Sequence, residues 1–198
     1  MNQGDRRIQR TKKLIRNTFA ELIEEKGLHH VTIKDLTERA DINRGTFYLH
    51  YLDKYDLLEQ SEDELLHGIK MIAQELDNAN RENLQNGQEP PPAGEKYFSF
   101  LQENGLFVKA ILGPKGDPGF QTKMKALIAN QIKGRLLSGN PENMPVPQEY
   151  LIAYLVSAHL GVVQHWIEGG FKKTPKEMAR IISNMNFYGP LAAGGLKD

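Results

Sequence analysis

The chain has 198 residues, with Lys+Arg 25 against Asp+Glu 25 for a formal net charge of +0, and Cys 0. This length can bury a real core in one domain or two small ones, and the missing cysteines remove disulfides, zinc fingers, iron–sulfur clusters and thiol redox sensing. No long uninterrupted apolar run offers a membrane span, and the charged N-terminus lacks the apolar core of a signal peptide, so a cytoplasmic protein without membrane contact is expected.

Residues 1–4 are expected to be disordered. The segment that follows is basic, with Arg6, Arg7, Arg10, Lys12, Lys13 and Arg16 opposed only by Asp5, whereas Glu59, Glu62, Asp63, Glu64, Glu75 and Asp77 lie further on. Zero net charge therefore conceals segregation, and a basic end on a neutral protein still attracts phosphate. Ile8, Ile15, Phe19, Leu22 and Ile23 recur at helical spacing, and Gly27 ends this first helix. Its basic cluster reads equally well as a solvated helix face or as an arm contacting a nucleic-acid backbone.

Residues Val31 to Leu58 read as a helix-turn-helix followed at once by another helix. Thr32 caps the first helix with Asp35 in the reciprocal position, and Ile33, Leu36 and Ala40 share a face. Asp41-Ile42-Asn43 forms the turn, with Ile42 as an apolar plug and Asn43 as the next cap. The second helix, Arg44 to Tyr51, carries Gly45 in its first turn, where a glycine lowers helix stability and so calls for close approach to something outside. Phe47 and Tyr51 pack inward, leaving Arg44, Thr46, Tyr48 and His50 for a DNA groove. Asp53 caps the following helix with Asp56 in reply, and Lys54 in its first turn is expected to clamp a phosphate.

The run Asn43-Arg44-Gly45-Thr46-Phe47-Tyr48-Leu49-His50-Tyr51, followed by Asp53-Lys54 and Asp56-Leu57-Leu58, resembles the signature of the tetracycline-repressor (TetR/AcrR) family of bacterial transcription regulators. Leu49 and Leu52 stand where members of that family often carry polar or basic residues, and Asp41 where many have glycine. The expected DNA-contacting set is Thr32, Lys34, Asn43, Arg44, Gly45, Thr46, Tyr48, His50, Tyr51 and Lys54.

A fourth helix from Asp53 aligns Leu57, Leu58, Leu65, Leu66, Ile69, Ile72 and Leu76 on one side with acids on the other, and is long enough to link two domains. Asn78 to Gly94, ending in Pro90-Pro91-Pro92, reads as a loop. Two short helices follow, Glu95 to Asn104 and Leu106 to Leu112. After the turn Gly113 to Gly119, Asp117 and Pro118 open a seventh that reaches about Leu137. A loop from Ser138 to Pro147 leads to an eighth, Gln148 to Glu168. It has two apolar stripes: Leu151, Tyr154, Leu155, Ala158 and Val162; and Ile152, Val156, Leu160, Val163 and Ile167. A helix buried on both flanks needs a partner beyond its own domain. The ninth opens on Thr174-Pro175-Lys176-Glu177, a capping box with proline at N1, and aligns Met178, Ile181, Ile182 and Met185. The tail after Gly189 reads as flexible. The order of these elements, with Trp166 to Gly170 and Thr174-Pro175, is similar to a C-terminal domain found in many such regulators. It implies a homodimer built on the last two helices of each subunit.

No histidine lies four residues from another, His165 and Glu168 alone do not make a metal site, and no serine has a nucleophile-elbow context. The expectation is an all-α protein of about nine helices without enzymatic activity, cofactor or metal. Residues 1–52 would form a three-helix helix-turn-helix domain and residues 53–198 a ligand-binding and dimerisation domain, with the fourth helix joining them. The expected function is a homodimeric repressor bound to a palindromic operator in double-stranded DNA and released by a small-molecule effector. Ligand binding would tilt the fourth helix and spoil the spacing of about 34 Å between the two recognition helices. Tyr154, His165 and Trp166 are the ligand-site candidates. The rival reading is an activator controlled by a protein partner on the C-terminal domain.

Overall fold

The computed structural model describes residues 3–83, 92–136 and 144–196. The chain is all-α: α1 Gln3–Lys26, a 3-10 turn Leu28–His30, α2 Ile33–Arg39, α3 Arg44–Tyr48, α4 Lys54–Asn83, α5 Pro92–Glu103, α6 Gly105–Leu112, α7 Pro118–Leu136, α8 Gln148–Glu168 and α9 Pro175–Ala193. It forms two compact units, one of residues 1–66 with 104–123 and one of residues 67–103 with 124–198. α4 and α7 each contribute to both.

In the first unit α1 is the central element. Its face of Ile15, Phe19, Leu22 and Ile23 is buried, and α6 packs along it with Phe107, Val108 and Ile111 inside. Arg16 donates to Asn104 Oδ1 at 2.8 Å at the start of α6. Gly27 ends α1 at φ 86, a conformation that a β-carbon would strain. The last carbonyls of α1 are satisfied from a distance, because Lys115 Nζ donates to Glu24 O at 2.9 Å and Glu25 O at 2.8 Å.

In the second unit the buried side of α8 is Val156, Leu160, Val163, Trp166 and Ile167, of which Trp166 meets Phe98 of α5. Trp166 lies edge-on to Phe98 at 5.4 Å and to Phe171 at 4.9 Å. α9 packs on α5, and its capping box is formed: Thr174 accepts from Glu177 N at 3.2 Å while Glu177 accepts from Thr174 N at 2.8 Å.

Several expectations are corrected. Helix α1 already includes Gln3 and Gly4, and Ile8, placed on its apolar stripe, is 46% exposed because the first turns overhang the packed body. α4 continues through Asn78 to Asn83, since Ala79, Arg81 and Glu82 are adequate helix formers and no glycine or proline intervenes. α5 starts at Pro92, whose fixed φ suits a first turn. Glu62, assigned to the acidic side of α4, is 1% exposed and receives Lys123 Nζ at 2.8 Å. Burial raises its carboxyl above the usual range, and Lys123 acts in the opposite sense. Beyond a break at Gly189 (φ 76), Pro190 restarts the helix where a flexible tail was expected. Although polar residues interrupt it, α8 has a mean hydropathy of 1.2 and is apolar enough, by length and composition alone, to cross a bilayer; an interface helix needs the same property. The Pro90-Pro91 stop, the side chain of Leu76, Leu137 and most of the loop after it lie outside the described residues.

Candidate nucleic-acid interface

The reading helix is built by its caps. Thr32 and Asp35 form the expected reciprocal box on α2, the Asp35 carboxylate accepting from Thr32 N at 2.9 Å and the Thr32 hydroxyl accepting from Asp35 N at 3.2 Å. Lys26 reaches the same carboxylate from α1, and that ammonium, followed by the Thr32 groups, holds Asp35 well below the usual carboxylate range. A second tie between α1 and α2 is the two-pronged contact of the Arg39 guanidinium with Glu25.

The turn is tight because Asp41 takes φ 51, a left-handed conformation that aspartate tolerates better than most residues. Asn43 then caps α3, its Oδ1 accepting from Thr46 N at 2.7 Å and from the Thr46 hydroxyl at 3.1 Å. A β-carbon on Gly45 would meet only that Asn43 Oδ1, at 3.2 Å. A side chain here would crowd the cap and stand off whatever approaches the helix start.

α3 ends at Tyr48, short of the expected Tyr51. Leu49 and His50 form a turn, although Tyr51 N still reaches Phe47 O at 3.0 Å. That turn carries Tyr51 inward against Phe47, with ring centroids 5.7 Å apart. Phe47 is fully buried and Tyr51 nearly so. Burial, followed by nearby Glu64, pushes the Tyr51 phenol up to about 12. Tyr51, expected among the DNA-contacting residues, therefore supports α3 from beneath.

On the outer side Arg44 and Lys34 are exposed, His50 is half-buried and Tyr48 is 52% exposed. Lys34, Glu38, Ile42 and Arg44 line an open depression between α2 and α3. The structure thus brings Lys34, Arg44, Tyr48 and His50 to the outside of the motif, while the Thr32, Asn43 and Thr46 side chains are engaged in capping. Leu49 and Leu52, 81% and 82% exposed, also belong to this outer surface. Sequence reasoning named them only as departures from the family pattern; their spacing from inward-facing Phe47 was the signal available.

Lys54, expected to meet a phosphate, has partners within the protein. Its ammonium donates to three backbone carbonyls, Leu28 O at 3.2 Å, His29 O at 2.8 Å and Val31 O at 2.8 Å. A lysine ammonium has three donors, so this one is spent on joining the start of α4 to the 3-10 turn. The first amides of α4 are likewise taken: Asp53 Oδ1 accepts from Tyr55 N at 2.7 Å and Asp56 N at 2.9 Å, while Asp56 Oδ2 accepts from Leu52 N at 2.7 Å. In this structure Lys54 joins the start of α4 to the 3-10 turn.

The ligand-site candidates are not brought to one lining. Trp166 is in the core, its Nε1 donating to Lys173 O at 2.8 Å, whereas Tyr154 and His165 are exposed. Eleven residues separate those two, three helical turns on one side, and Trp166 lies about 100° around the helix. Leu151, Leu155 and Val162 are half-covered on the same outer side, which also exposes Ala158.

Residues 15–60 match the profile of bacterial regulatory proteins of the tetR family, and residues 88–187 match that of a transcriptional regulator C-terminal region. A stretch of 55 residues is 40% identical to the uncharacterized HTH-type transcriptional regulator YxbF of Bacillus subtilis (strain 168), covering 28% of this chain and 14% of that protein. The chain therefore spans a small part of that relative's length. Similar solved structures include a TetR transcriptional regulator from Streptococcus agalactiae 2603V, with TM-score 0.59 and 22% identity over 92% of this chain and 96% of that one. Another is the dihydroxyacetone kinase operon activator DhaS, with TM-score 0.55 and 19% identity over 88% and 93% of the two chains.

Proposed function

The chain belongs to the tetR family of bacterial regulatory proteins, and from that premise we propose that it is a homodimeric repressor, released from a palindromic operator when a small molecule binds its C-terminal part. Members of the family are DNA-binding transcription regulators rather than enzymes. The observation that carries the reading is the capped α3, which keeps Phe47 inside and leaves Arg44, Tyr48 and His50 for a major groove. Residues 1–52 are assigned to the DNA-reading domain and residues 53–198 to the effector and dimer domain, of which 53–66 and 104–123 belong to the same compact unit as residues 1–52. A regulator of this kind works where the chromosome is, in the cytoplasm.

Dimerisation is supported by the outer side of α8, where Tyr150, Tyr154 and Ala158 are exposed, together with Met185, Phe187 and Tyr188 on α9. Large apolar groups left exposed on these two helices favour a partner surface over water. Two copies related by a twofold axis then present two reading helices about 34 Å apart, matched to an inverted repeat. An effector in the second unit acts by favouring one arrangement of the protein over another, so DNA must weaken its binding by the same factor. The aromatic cluster of Phe98, Trp166 and Phe171 offers an intrinsic fluorescence readout of that event.

The test is recovery of genomic fragments on the purified protein, followed by transcription from the recovered promoters. The expected result is a shared inverted repeat and transcription that falls when protein is added. Fragments with no common repeat, or transcription that rises, would overturn the repressor reading. The second outcome would favour the activator alternative, a role for which the DhaS-like fold is a precedent.

A further inference from the structure

The first unit uses most of its positive charge on itself. Lys12 lies 3.7 Å from Glu64 and donates to Gln60, Lys109 meets Glu24 at 2.8 Å, and Lys34 lies 3.7 Å from Glu38. Arg16, Lys26, Arg39, Lys54, Lys115 and Lys123 have the partners described above. Among the described residues of that unit, the cations left with no hydrogen bond or ion pair are Arg6, Arg7, Arg10 and Lys13 on α1 and Arg44 on α3. The cations without a partner in this unit are therefore concentrated at two places, and the larger is the overhanging start of α1.

The geometry of that overhang suits a phosphate grip. Arg6, Arg10 and Lys13 are spaced by four and three residues and so share one side of the helix, with Arg7 beside them. That side is opposite the buried face of Ile15 and Phe19, and all four cations are exposed. Arg6 to Lys13 spans about 10 Å of helix, enough to meet more than one phosphate of a duplex bearing a charge every ~1.7 Å of axis. The next turn is anchored beside the reading segment, since Lys12 Nζ lies 5.6 Å from the centroid of the Tyr51 ring. The matched family profile starts at residue 15, so this strip lies outside it.

We propose that residues 6–13 of α1 form a second DNA-contacting element. It grips the phosphate backbone flanking the half-site independently of base sequence, and it supplies most of the salt dependence of binding. This rests on the DNA-binding function proposed above and names a contact that α3 does not make.

The experiment measures the affinity of the full-length protein for its recovered operator and for a random duplex across a salt series. It compares wild type with R6Q/R7Q/R10Q/K13Q and with the charge-keeping R6K/R7K/R10K. Each lost phosphate contact lowers the slope of log K against log salt by about 0.9. The neutral variant is expected to lose about three units of slope and on the order of 100-fold or more in affinity, equally on both duplexes, while the lysine variant stays near wild type. Among the described residues these side chains have no partner, so the melting temperature should hold, and its measurement separates misfolding from a lost contact. An unchanged slope in the neutral variant, with wild type binding its operator normally, would overturn the grip and leave the DNA-binding reading intact. Loss confined to the operator would also overturn it, because a backbone grip is blind to sequence. If wild type binds neither duplex, the DNA-binding reading and the grip fail together.

Discussion

The α3 region and the α8–α9 surface are two places where a single copy of this chain leaves its chemistry unfinished, and they do so in opposite ways. Around α3 the bulky Phe47 and Tyr51 are inside and the caps consume the nearby amides, so Arg44, Tyr48 and His50 remain outside beside the exposed Leu49 and Leu52. Along α8 and α9, where α9 has its own complete capping box, Tyr150, Tyr154, Phe187 and Tyr188 remain in solvent. The first surface suits a hydrated polyanion whose charge must be met, and the second suits a protein surface that excludes water. Burial within one chain thus separates a nucleic-acid face from a protein face more cleanly than net charge, which is +0 overall.

The strongest way to break this contrast is to put a charge on the apolar surface. Ala158→Glu, at an exposed position of α8, is expected to weaken self-association by about 3–5 kcal/mol if it is buried unpaired in a dimer. Sedimentation should then show monomers at micromolar concentration and lost affinity for an inverted repeat. A wild-type protein that is itself monomeric would remove the premise. Phe47→Ala has a comparable effect through the opposite route. Truncating this fully buried ring should lower the stability of the first unit by about 3–5 kcal/mol, read by chemical denaturation.

Lys54 sharpens the comparison, because it looks like a phosphate ligand and is built like a staple. Lys54→Ala should lower stability by about 1.5–3 kcal/mol, the scale of a lost charged hydrogen bond, and leave the salt slope of DNA binding unchanged. A slope smaller by about one unit without loss of stability would restore the clamp. Asn43→Ala is smaller still, about 1 kcal/mol for a lost N-cap. Its signature would be loss of operator affinity exceeding loss on random DNA, since it loosens the helix that reads bases.

The finest effect is in acid. Asp35 is held below the usual carboxylate range chiefly by Lys26, Asp56 by Gln60 and then the Leu52 amide, and Glu177 by the Thr174 amide and then Lys173. Groups whose native pKa is lowered contribute stability that is whole above the ordinary carboxylate range, near pH 4, and lost as pH falls through the lowered values. Glu62 acts in the other direction: raised by burial, its contribution is greatest in acid and declines as pH rises through its native value. Asp35→Asn should flatten the acid limb of a stability–pH curve, and an acid limb identical to wild type would show that the α2 box adds nothing.

Local chemistry was legible wherever partners sit within four residues. The Thr32–Asp35 and Thr174–Glu177 boxes, the Asn43 cap, the Asp117-Pro118 helix start and the inward pair Phe47 and Tyr51 all follow from helix geometry and side-chain donors. The all-α class and the helix-turn-helix follow from the same short-range rules. Misplaced features depend on distant partners or on how far a helix runs. A lysine in a first turn carries no mark of three carbonyls lying 23 to 26 residues upstream. The helical pattern that put Glu62 among solvated acids could not register Lys123, 61 residues away. Likewise the aromatic character of Tyr154 and Trp166 is the same on either side of α8, and only packing against Phe98 and Phe171 makes one of them core.

The sequence by itself determined which segments are helices, how most of them start, and which side of α3 is packed inward, because backbone hydrogen bonding and capping act over one turn. Tertiary structure alone decided which charges are already spent. Neutralising a cation requires an acceptor within a few ångströms, and that neighbour is supplied by the fold: Glu25 for Arg39, Glu24 for Lys109 and three carbonyls for Lys54. What is left unspent, on the overhanging turns of α1 and at Arg44, became visible only once those neighbours were in place.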